Sequence, residues 1–128
     1  MAVTVTNSTI SAFNTITAVT SNVATADTDA LAEVFTITPT KSGGKFVLII
    51  GGTGSAADGN ISYSVAAGDF WASKAVTGTV TKNTEKMIQL ETGNILQDDG
   101  TILVTLTPAA TDKLKTDHSA YVKFIQIM

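Results

Sequence analysis

A chain of 128 residues is a usual size for one domain with one core, and folding at this length buries roughly two-thirds of the surface that the unfolded chain exposes. Hydrophobic residues make up an ordinary 44%, but only 15% are charged, and a net charge of −3 with 8 scattered Lys and Arg excludes the basic cluster that nucleic acid requires. The absence of cysteine excludes disulfides, thiolate chemistry and Cys-based zinc sites, and the longest aliphatic run, 46–50, falls far short of the roughly 20 residues that span a bilayer. Neither nucleic acid nor a membrane is expected as a partner.

Threonine takes the place of the missing charge, at about one residue in six, and its β-branched side chain suits the half-solvated face of a sheet better than a helix interior. Residues 1–26 contain no Lys, Arg, Asp or Glu. Val3 and Val5, then Ile16 and Ala18, alternate with Thr, which is strand periodicity. Residues 1–30 therefore read either as ordinary edge strands or as an assembly arm. An exposed edge without charge or Pro tends to pair with another chain. The candidate partner contacts of an arm are Val3, Val5, Ile10, Phe13 and Ile16. No basic region followed by an apolar run opens the chain, so no secretory leader is expected and synthesis is placed in a cytoplasm.

The acidic stretch from Asp27 to Glu33 reads as one helical turn capped by Asp27 or Thr28. Strand signals then follow closely. Val34 to Thr38 precedes a turn over 39–44, and Lys45 to Gly51 reads as a fully buried central strand. Asn60 to Ala66 alternates Ile61, Tyr63 and Val65 against Ser62 and Ser64. Val76 to Thr81 and Lys86 to Glu91 predict a hairpin about 82–85. Asp98-Asp99-Gly100 predicts a turn into Thr101 to Thr107, where Ile102, Val104 and Leu106 alternate with polar partners. In the last segment, Ala120 to Met128, the residues Val122, Phe124 and Gln126 oppose Tyr121, Lys123, Ile125 and Ile127.

These are seven strands at the spacing of a sandwich or barrel, with gaps too short for crossover helices. Residues 31–128 are accordingly expected to form a single antiparallel β-sandwich, immunoglobulin-like or related in topology, preceded by the extended N-terminal segment.

Chemical motifs are weak throughout. Gly52-Thr53-Gly54-Ser55-Ala56-Ala57 fits G-x-G-x-x-A after an apolar strand, but Asp58-Gly59-Asn60 stops the helix whose N-terminus would hold a pyrophosphate. His118 lies between Asp117 and Ser119, and neighbours in an extended chain point to opposite faces, so they form no triad; a surface His in a turn is expected. Asp27/Asp29 and Asp98/Asp99 do not continue into a calcium loop. The sequons at Asn7 and Asn60 have no expected route to glycosylation. No catalytic residue, cofactor or metal site is assigned, and an enzyme is not expected. Phe70 and Trp71 are expected in the core; as the alternative they form a stacking site for sugar, the mark of a carbohydrate- or surface-binding module of a phage tail or bacterial surface.

The segments Val34 to Lys41, Lys45 to Ile50, Ser62 to Trp71, Asp99 to Pro108 and Tyr121 to Met128 together resemble small proteins encoded beside the major capsid protein of tailed bacteriophages. Those proteins are similar to head decoration, or cement, proteins. The resemblance runs from about Val34 to the C-terminus. It implies a non-enzymatic protein without cofactor that binds the major capsid protein on the outside of the virion and stabilises the shell, with a homotrimer favoured. It carries over no residue of the N-terminal segment.

Overall fold

The computed structural model describes residues 2–40, 45–53, 59–69, 73–81 and 83–127, apart from the side chain of residue 92. Ten strands and one helical turn are present among them: β1 (Ala2–Thr4), β2 (Ser8–Ile10), β3 (Asn22–Val23), β4 (Glu33–Ile37), β5 (Lys45–Gly51), β6 (Ile61–Val65), β7 (Val76–Val80), β8 (Glu85–Leu90), α1 (Thr92–Ile95), β9 (Ile102–Thr107) and β10 (Tyr121–Ile127). They form two packed sheets. The first has the order β1-β4-β9-β6-β7; the second runs β2-β10-β5-β8, with β3 also pairing to β10. The molecule is an all-β sandwich. The pairings among β4 to β10 are antiparallel, whereas β1 lies parallel to β4 and β2 parallel to β10, so both sheets are mixed.

Alternation in the sequence sorts side chains as the pleat requires. The first sheet turns Phe35, Ile37, Ile61, Tyr63, Val65, Ile102, Val104 and Leu106 inward, and the second answers with Phe46, Leu48, Ile50, Leu90, Val122 and Phe124. Phe46 and Phe124 stack at 5.3 Å between ring centroids. Each large side chain fully buried here contributes about 1.5 to 3 kcal/mol.

Four local expectations change. Residues 27–33 form no helix: a bend over 28–30 leads straight into β4, and Glu33 is a fully buried strand residue. Its carboxylate accepts hydrogen bonds from the backbone N–H of Thr25 (2.8 Å) and Ala26 (3.0 Å) and from the Thr25 hydroxyl. Acidic composition resembled a helix start because periodicity says nothing of a carboxylate used to cap loop amides.

β7 and β8 are not a hairpin. β7 pairs with β6 and β8 with β5, so these two successive strands belong to different sheets. Between them the Thr84 N–H donates to the Thr81 carbonyl at 3.3 Å.

β5 is central but not buried on both faces. Phe46, Leu48 and Ile50 are covered while Val47 and Ile49 lie half-buried on the outer side.

His118, finally, is buried at 1% exposure, its Nε2 2.9 Å from Asp112 Oδ2. Its backbone carbonyl lies 2.6 Å from where a Cβ on Gly52 would stand, which gives that glycine a packing role between β5 and the 108–120 connection.

Candidate interaction surface

The N-terminal segment closes one edge of the sandwich and then leaves it. β1 covers the edge of β4, and Val5 N–H continues the ladder to the Thr36 carbonyl at 2.9 Å. β2 and β3 share the edge of β10, meeting its C-terminal and N-terminal halves respectively. Between them residues 11–21 form a loop with a fixed base. Asn22 is buried, its Oδ1 accepting from Thr6 N–H at 2.8 Å and its Nδ2 donating to the Val122 carbonyl at 2.9 Å. Ser8 Oγ accepts from Thr20 N–H at 2.9 Å. Asn14 takes a positive φ of 58°, a conformation that Asn tolerates better than most side chains.

The tip of this loop is apolar. Phe13 is 98% exposed and Ile16 99%, on an uncharged stretch. Covering either one by a partner is worth about 1.5 to 3 kcal/mol. Beside the loop lies the outer face of the second sheet. Ile10 stands next to Ile127 by the parallel register, and a cleft of about 150 Å³ opens between them and Ser11, Ala12 and Phe13. Ile125 stands opposite Val47, and Ile49 lies between Lys123 and Met87, which is 71% exposed.

The other end of the same face is polar. Tyr121 lies across Gly51 toward Glu85, and Lys123 Nζ sits 3.1 Å from Glu85 Oε2 and 4.9 Å from the centre of the Tyr121 ring. The Tyr121 hydroxyl, and after it Lys123, hold the Glu85 carboxyl below the ordinary glutamate range. Burial first, and the Glu85 carboxylate second, push the Tyr121 phenol up to about 12. The opposite face of the molecule is different in kind. On the first sheet the outward positions of β4, β6, β7 and β9 include Thr36, Ser62, Ser64, Thr77, Thr79, Thr105 and Thr107, a mostly hydroxyl surface interrupted by the half-buried Val34 and Leu103.

The five N-terminal residues singled out in the sequence have different environments. Val5 is buried in the core and Val3 packs against it half-buried; Ile10 is half-buried on the outer face; Phe13 and Ile16 project into water. Phe70 and Trp71 lie outside the described residues, as do residues 54–58 of the glycine motif.

Met87, Ile127 and the outer side of β5 were missed as surface. The signal for β5 was present in the unbroken apolar run 46–50, which populates both faces of a strand and so paints the outside as well as the core. Among the described residues no three His, Asp or Glu side chains gather as metal ligands, and no helix is long and apolar enough to cross a membrane. No protein-family model, curated protein or solved structure matches the chain.

Proposed function

We propose that this protein is a non-enzymatic structural protein that attaches to the outer surface of a bacteriophage capsid through its major capsid protein and stabilises the shell. The observation that carries this is the pair Phe13 and Ile16, almost wholly in water at the tip of an uncharged loop whose base is pinned by Asn22 and Ser8. A held apolar tip loses little conformational freedom on docking, so more of its burial energy is available as affinity. Ile10 and Ile127 extend that contact onto the sheet beside it. The resemblance of the strand segments to capsid decoration proteins supplies the partner, the virion exterior as location and, at the three-fold positions of the shell, a homotrimer as assembly. Repetition on a shell then turns modest single contacts into avidity.

The test is cosedimentation with purified capsids of the parent phage. The double substitution Phe13→Ser and Ile16→Ser is expected to weaken binding at least about a hundredfold, from about 1.4 kcal/mol or more lost at each position, with the melting temperature unchanged. Unchanged binding would overturn the assignment of the loop, and binding lost instead on substituting Trp71 would move the contact to the Phe70-Trp71 segment.

A further inference from the structure

Among the described residues β7 is the one long edge strand that carries no charge. On the first sheet it is terminal, with β6 on one side only. Natural edges are usually shortened, charged or covered. β1, β2 and β3 are two or three residues long, and β8 begins with Glu85 and Lys86, but β7 offers five residues, Val-Thr-Gly-Thr-Val, without Pro or charge.

The direction of its free backbone groups follows from the ladder. Ala66 N–H donates to the Leu103 carbonyl at 2.9 Å, so residues 62, 64 and 66 turn their backbone groups toward β9, and Ile61, Tyr63 and Val65 turn theirs toward β7. Their partners Val80, Gly78 and Val76 are thereby used, and Thr77 and Thr79 point outward. Lys86 Nζ confirms the direction independently, reaching across from β8 to donate to the Thr79 carbonyl at 3.0 Å. Among the described residues nothing else meets the outward groups of Thr77 and Thr79.

The sequence of the strand reads the same in both directions about Gly78. We infer that β7 pairs antiparallel with β7 of a second copy of this chain, about a twofold axis at Gly78. In that register Thr77 faces Thr79 of the other copy as a hydrogen-bonded pair, each exchanging N–H and C=O, and the same exchange repeats on the far side of the axis. The outward residues are thus the ones that meet. On the side-chain faces Thr stands opposite Thr and Val opposite Val, both favourable cross-strand pairs. Gly78 at the axis adds no side chain, and it is already required within each copy because the Tyr63 ring occupies its Cβ space, Cζ lying 2.7 Å from where a Cβ would be. Among the described residues Lys86 is the one plug on the edge; it covers the Thr79 carbonyl, which it must yield to the Thr77 N–H of the second copy, and it leaves both outward N–H groups open.

This inference does not depend on capsid attachment and is tested on the free protein. The chain has no cysteine, so engineered ones report alone. Hydrogen-bonded antiparallel partners stand about 5.5 Å apart at Cα, within disulfide reach, whereas residues two positions off register stand about 7 to 8 Å apart, beyond it. An equal mixture of Thr77→Cys and Thr79→Cys proteins is expected to yield a disulfide-linked heterodimer under mild oxidation, with each protein alone yielding little. Thr77→Pro removes an outward N–H that the fold does not use, so sedimentation of the otherwise wild-type protein should lose its concentration-dependent dimer while the circular dichroism spectrum stays the same. A wild-type chain that sediments as a monomer at millimolar concentration, cross-linking as strong in the separate proteins as in the mixture, or a Thr77→Pro dimer of undiminished affinity would each overturn the inference.

Discussion

The two edges of this sandwich are closed by different means. At one edge the N-terminal segment supplies backbone: β1 pairs with β4, and β2 and β3 pair with β10, so both sheets end in strands that the same 22 residues provide, from 2 to 23. At the other edge β7 and β8 end their sheets with no further strand among the described residues, and side chains fill the gap. Tyr63 covers Gly78, and Lys86 stands 5.8 Å over the Tyr63 ring while donating to Thr79. A strand satisfies every outward amide in its path, whereas a lysine satisfies one carbonyl. The first edge is therefore committed to the fold, and the second keeps hydrogen-bonding capacity for a partner.

Substitutions at the committed edge should cost most. Glu33→Ala removes the acceptor for two backbone N–H groups, one of them at the buried Ala26, and is expected to destabilise by roughly 3 kcal/mol in urea unfolding. Asn22→Ala breaks the tie from Thr6 to Val122 and should cost about 2 kcal/mol. Either loss below about half a kcal/mol would mean that water replaces these side chains and that the edge is less committed than its geometry requires.

At the other edge, Gly78→Ala drives a methyl into Tyr63 and should cost about 1 to 2 kcal/mol. The partner change Tyr63→Leu empties that space, so the two effects should not add; a double-mutant cycle with no coupling would show that Tyr63 does not close the edge.

Much of the sandwich was legible because alternation reports which face a residue takes. β6, β9 and β10 carry Ile61/Tyr63/Val65, Ile102/Val104/Leu106 and Val122/Phe124 in the interior as the pattern requires. Alternation does not report which strand is the neighbour. The short link between β7 and β8 has the composition of a hairpin turn, yet the strands it joins belong to different sheets, since a two-layer fold can seat successive strands in either layer. Buried polar side chains were illegible for a related reason. Glu33 and His118 gain their partners from Thr25, Ala26 and Asp112, and no local pattern marks a polar side chain that loop backbone or another loop residue will satisfy. On the outer surface, Phe13 and Ile16 could be picked out as uncovered apolar residues, but Met87 and Ile127 needed the sheet order to place them on one face, on β8 and β10 to either side of β5.

The smallest expected effect joins the two edges through one hydrogen-bonded group. Tyr121 stands on β10, paired to β3 at the closed edge, and reaches across Gly51 to Glu85 on β8 at the open one. Its phenol is raised from 10.0 to about 12, first by burial and then by Glu85. A raised pKa means that the folded protein holds the proton more tightly than the unfolded chain. Its stabilising contribution is complete below pH 10 and is lost as the pH rises from there through about 12. Glu85 acts in the opposite direction: its lowered pKa contributes stability above the ordinary 4.5 and loses it as the pH falls, an effect kept small by its exposure. Ultraviolet titration should therefore show the Tyr121 phenolate forming only as the pH nears 12, together with alkaline unfolding. Glu85→Gln should bring that titration part of the way back toward 10, because burial, the larger cause, remains. A return all the way to 10 would assign the shift to Glu85 alone, and no return at all would show that the contact between the two edges is not made in solution.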